Sequence, residues 1–124
     1  MATYNVCTEK GYNVAVAVVN RDGRLLSFVR NPLAGAHTID VSQGKAWTAA
    51  TFKTASQNLM ERDFMKGIQG AMTWGGGLPV NVAGSFYGGI GVAGAPAQKT
   101  PGDVDHDCAV EGLDKVREEI EFGN

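Results

Sequence analysis

Two histidines, an arginine and a lysine flanking one of them, and a block of three glycines are the residues of this chain best suited to chemistry. His37 follows Gly35 and precedes a helical pattern, a place where a short scaffolded turn can present an imidazole to a ligand. His106, between Asp105 and Asp107, falls in the first turn of the last helical pattern, where an acidic start suits the helix dipole. Neither histidine has a second histidine or a cysteine at metal-ligand spacing, so no metal site is expected. Arg30 closes a strand pattern, and Lys45 sits among Gly44, Ala46 and Ala49. Two such cations, near one loop, suit a carboxylate or propionate; the alternative pairs them separately with Asp22, Asp40 or Asp105 in structural salt bridges. Gly75, Gly76 and Gly77 before Pro79 predict an open turn whose free backbone amides face a ligand.

Other patterns exclude more than they support. Gly89 to Gly94 fits the G-x-G-x-x-G dinucleotide pattern, yet no helix opens there to receive a pyrophosphate, because Pro96 and Pro101 follow. A glycine strand against which something packs closely is the better reading. The G-x-S-x-G elbow of a serine hydrolase is missing.

The elements that must position these residues follow from periodicity. Tyr12 to Val19 and Arg24 to Arg30 read as a hairpin around the Asp22-Gly23 turn. A helix is predicted from about Thr38, its N-cap, to Thr54, and a second helical stretch begins at Ser56 with Leu59, Met60, Phe64 and Ile68 on one face. Trp74 to Pro79 is predicted to be irregular, Val80 to Ala83 and Phe86 to Ala93 a second hairpin. The last helix runs to about Glu121, with Thr100 as cap and Pro101 at its first position. Hairpins and helices in this order give an antiparallel sheet with helices layered on it, an α+β domain occupying residues 1–124.

The chain has 124 residues, 44% of them hydrophobic and 19% charged, which suits one packed globule. A net charge of -2 removes the electrostatic case for nucleic acid, and no apolar run approaches the roughly 20 residues of a membrane span. Charge is polarised: eight acids lie at or beyond Asp103, accompanied only by Lys115 and Arg117 among the cations. Cys7 and Cys108 could form one bridge but no disulfide framework, so a reduced, cytoplasmic protein is expected.

Six blocks in order carry a resemblance: Val14 to Gly23, Arg30, Lys45-Ala46-Trp47-Thr48-Ala49, Gly75 to Pro79, Gly88 to Gly94, and Asp105 to Ala109. Together they resemble the GlcG/HbpS family, which includes haem-binding and haem-degrading proteins and the C-terminal domain of PduO-type corrinoid adenosyltransferases. The resemblance implies a profilin-like fold, a homo-oligomer between dimer and octamer, and recurrent polar residues at Arg30, Lys45, Thr48 and Asp105. It also implies a helix before the first strand, which the short stretch preceding Tyr12 is expected to leave short or missing.

The expected function is binding of a small molecule, with haem the implied cofactor and haem degradation a further implied activity. His37 is the first choice of iron ligand, ahead of His106, Met72, Tyr87 and Cys108. The expected ligand-binding set is Arg30, His37, Lys45, Thr48, Gly75, Gly76, Gly77 and Asp105. The alternatives are a metal-independent enzyme acting on a small carboxylated metabolite, with Lys45 and Asp105 as charge partners, or an oligomeric structural or regulatory module.

Overall fold

Asn20 turns the chain between its first two strands. Its side-chain oxygen accepts the backbone N–H groups of Asp22 and Arg24 at 2.9 and 3.0 Å, and Gly23 supplies the left-handed backbone at φ +78°. The computed structural model describes residues 1–121, and around this hairpin the order is helix α1 (Ala2–Glu9), strands β1 (Ala15–Asn20) and β2 (Leu25–Arg30), and helix α2 (Thr38–Phe52). Two 3₁₀ turns, Ser56–Leu59 and Asp63–Gly67, then lead to strands β3 (Gly77–Val82) and β4 (Ser85–Ala93) and helix α3 (Asp103–Glu121). The sheet is antiparallel in the order β2-β1-β4-β3. Among the described residues no helix is long and apolar enough to cross a membrane.

Alternation along the two central strands divides the core into two layers. Val14 and Val16 join Ile90, Val92, Cys7, Cys108, Ala109 and Leu113 in a cluster beneath α1 and α3. Ala17 and Val19 meet Ala46 and Ala50 of α2 on the opposite face. A Cβ on Gly89 or Gly91 would strike the α2 backbone at Ala46 or Ser42, so these glycines let helix and sheet approach to backbone contact. The glycine strand is thus a packing surface for α2, as its sequence context predicts.

One expectation about the helices holds, since the N-terminal helix is short, and several others change. Helix α1 is present and short, and it buries Thr3, Val6 and Cys7. The second helical stretch is two 3₁₀ turns, in which the tighter winding buries Leu59 and Met65 and leaves Phe64 61% exposed. Gly77, Leu78 and Pro79 belong to β3; this is an edge strand, where a residue lacking an N–H is tolerated. His37, not Thr38, is the N-cap of α2, while α3 begins at Asp103, whose carboxylate accepts the N–H groups of Gln98, Lys99, Thr100 and Val104. Thr100 and Pro101 precede the helix rather than start it.

Candidate functional site

The loop after β2 is fixed by its own side chains. Asn31 Oδ1 accepts the N–H of Leu33 at 2.8 Å, Arg30 Nη1 donates to the Ala34 carbonyl at 3.0 Å, and Thr38 Oγ1 donates to the Gly35 carbonyl at 2.6 Å. The His37 ring lies so close over Gly35 that a Cβ there would sit 2.6 Å from Cε1. The absence of a Cβ at Gly35 leaves room for the imidazole, which lies exposed at the surface.

Below His37 is a cleft of about 180 Å³, lined by Val41, Lys45, Trp74, Gly94 and Asp105 among others. Its floor is an ion pair. Lys45, 2% exposed, donates to Asp105 Oδ2 at 3.1 Å and to the Val92 carbonyl at 2.8 Å. Asp105 also accepts the N–H of Ala95 at 2.9 Å. Burial pushes the lysine down and the aspartic acid up, and their mutual attraction opposes both shifts. Gly76, at φ +126°, makes room for the pair: a Cβ would lie 3.0 Å from Lys45 Nζ and would run into the Val92 carbonyl.

The other expected site residues have defined partners. Thr48 is buried, donating to the Gly44 carbonyl and accepting the N–H of Met72, both at 2.8 Å. Gly75 N–H donates to the Pro101 carbonyl at 3.0 Å and Gly77 N–H to Ser56 Oγ at 2.9 Å. Two of the three amides of the expected open turn are thus taken, by the approach to α3 and by Ser56. Of the two readings of Lys45, the structure shows the salt bridge with Asp105.

Of the five candidate iron ligands, only His37 lines the cleft above Lys45. The Met72 side chain packs toward Gly44, Tyr87 lies beside Asn20 and Asp22, and Cys108 is buried against Cys7. His106 has a buried Nδ1 with no hydrogen-bond partner, and burial lowers its basicity. No group of three or more His, Cys, Asp or Glu side chains forms a metal cluster among the described residues. Sequence reasoning missed Trp74, Ser56 and Gly102. The one signal for Trp74 is its place directly before the glycine block.

The family model for "Haem degrading protein HbpS-like" matches residues 1–114. The chain belongs to the HbpS-like family. Among solved structures, a double mutant of HbpS from Streptomyces reticuli is 34% identical, with a TM-score of 0.82 over 93% of this chain and 79% of that one. A complex of PduOC with haem is 25% identical, with a TM-score of 0.81 over 91% of this chain and 85% of that one. Klebsiella pneumoniae protein ORFY is 27% identical, with a TM-score of 0.80 over 91% and 81% of the two chains. The curated proteins gave no match. The α+β fold of this HbpS-like chain, three helices on a four-stranded antiparallel sheet, is thus the fold expected from its sequence blocks.

Proposed function

We propose that this chain binds haem, with His37 at the mouth of the cleft as the residue that would hold its iron. The carrying observation is an exposed imidazole on a hydrogen-bonded loop, beside the 49% exposed Trp74 and above a buried polar floor. A histidine nitrogen suits haem iron, and an indole face suits a flat macrocycle. The PduOC–haem complex and the family description support the same ligand. When bound, haem supplies an iron centre able to take small axial ligands or exchange electrons. This chain's part is to hold and orient it: Arg30 anchors the His37 loop, and Lys45 with Asp105 keeps the floor in place.

Size sets the form of the site. Pockets that enclose a ligand run from roughly 300 to 1,000 Å³, whereas this cleft is about 180 Å³. One chain therefore seats only an edge of the macrocycle, and a second copy covers the rest. Leu25, Leu26 and Phe28, exposed on the edge strand β2, support self-association into a dimer or larger homo-oligomer. Hemin titration is the test. A Soret band that saturates at stoichiometric hemin and is lost in His37→Ala is the expected result, and a band unchanged by that substitution overturns the assignment. Light scattering that shows only a monomer at micromolar concentration overturns the shared site.

A further inference from the structure

We propose that Cys7 and Cys108 form a reversible redox staple that fastens α1 onto α3. Both cysteines are free, both are buried, and both belong to one core cluster. Packing one turn away sets their meeting. Gly112 of α3 lies so close to Thr3 of α1 that a Cβ would collide with it, and Thr3 and Gly112 are each four residues from a cysteine. Residues four apart share a helix face, so the close crossing that joins Thr3 to Gly112 also turns Cys7 toward Cys108.

Each thiol acts on the other: the Cys108 thiol beside it raises Cys7, and the Cys7 thiol beside it lowers Cys108. Cys108 is thereby the better nucleophile and Cys7 its resolving partner. Lys10, which follows α1 and is ion-paired to Glu111 at 2.9 Å, also favours the Cys108 thiolate, while burial, Asp105 and Glu111 oppose it.

The oxidant class is a peroxide. Cys108 sulfur attacks one peroxide oxygen, breaking the O–O bond to give a sulfenic acid and one water. Cys7 sulfur then displaces the sulfenic oxygen as a second water. Two thiols and one hydrogen peroxide become one disulfide and two waters, the sulfurs losing two electrons and the peroxide gaining them. Access comes through α1, an eight-residue helix with no side-chain N-cap, too short to be stable without its packing. The reduced chain can release α1 locally, and the oxidised chain cannot.

The test oxidises the full chain, reduced and under native conditions, with equimolar hydrogen peroxide. The expected product has lost two hydrogens by intact mass and yields one peptide pair joining Cys7 to Cys108 in a non-reducing digest. Closing so long a loop raises the melting temperature on the order of 10 °C, and dithiothreitol reverses the rise. Cys7→Ser and Cys108→Ser lack the shift, with Cys7→Ala as substitute should the serine variant fail to fold. Both thiols still titratable after oxidation, Cys108 driven to a sulfinic acid, or a bridge between two chains would each overturn the staple.

Discussion

Asp103 and Asp105 stand two residues apart at the start of α3 and titrate in opposite directions. Asp103 lies at the surface, and the backbone N–H groups of Gln98 and Lys99 hold its carboxyl down at about 2. Asp105 lies in the cleft floor, where burial raises it even though Lys45 touches it. In the exposed region, donors stabilise the carboxylate while solvent remains to help. In the floor, lost hydration outweighs a full opposite charge. Hydrogen-bond partners alone therefore do not set the sign of a shift; the remaining water does.

The strongest way to break this comparison is to remove one member of the buried pair. Lys45→Met leaves Asp105 without its cation and should cost about 3–5 kcal/mol at neutral pH. The signs can be followed in a pH series. The folded-state pKa of Asp105 is raised, so its contribution is greatest in acid and falls as pH rises through that value; without Lys45 the fall should extend to higher pH. Lys45→Met with Asp105→Asn keeps an acceptor for the Ala95 N–H and should recover most of the loss in urea unfolding. A double variant as unstable as the sum of its parts would show that packing, not charge, dominates the floor.

Next in size is Gly76→Ala. A methyl group at φ +126°, directed at the Val92 carbonyl and the Lys45 head, should cost roughly 2–4 kcal/mol. The urea midpoint should fall with its slope unchanged. Stability then drops before any ligand is involved, so Gly76 acts first on the floor.

Thr48→Val tests a buried bond between neutral groups. It strands the Met72 N–H and should cost about 1–2 kcal/mol, clearly less than Lys45→Met. Equal losses would remove the distinction between burying a charge and burying a dipole.

The smallest effect belongs to the exposed region. Asp103→Asn should lower the melting temperature by a few degrees at neutral pH. Because the folded pKa of Asp103 lies below its ordinary 3.8, its contribution is present above that value and is lost as pH falls toward about 2. The variant and the parent chain should therefore converge in thermal melts below that pH.

The order of elements was legible in residue types. Valines at alternate positions, the Asp22-Gly23 turn and the small-residue run of α2 each act over a few neighbours, so local physics fixes them. The glycine strand was legible as a packing surface, because G-x-G-x-x-G without a following helix has no means to bind a pyrophosphate. Harder to read were Asp63–Gly67, where apolar spacing suits an α-helix but tertiary packing selects Met65 over Phe64, and Ala2–Glu9, whose weak local signal is completed by burial against α3.

For the cleft, the sequence by itself determined the chemical types: an imidazole after Gly35, a cation among small helix residues, an acid near the start of the last helix. Only the tertiary structure decided their relations. Lys45 and Asp105 are 60 residues apart in the chain, and their contact exists because α2 and the start of α3 meet at the end of β4 beside Gly76. The same assembly gave the Gly75 and Gly77 amides to Pro101 and Ser56 rather than to a ligand. A sequence records which groups can be charged or donate a hydrogen, but partner and hydration depend on distances between segments remote in the chain, and only packing sets those distances.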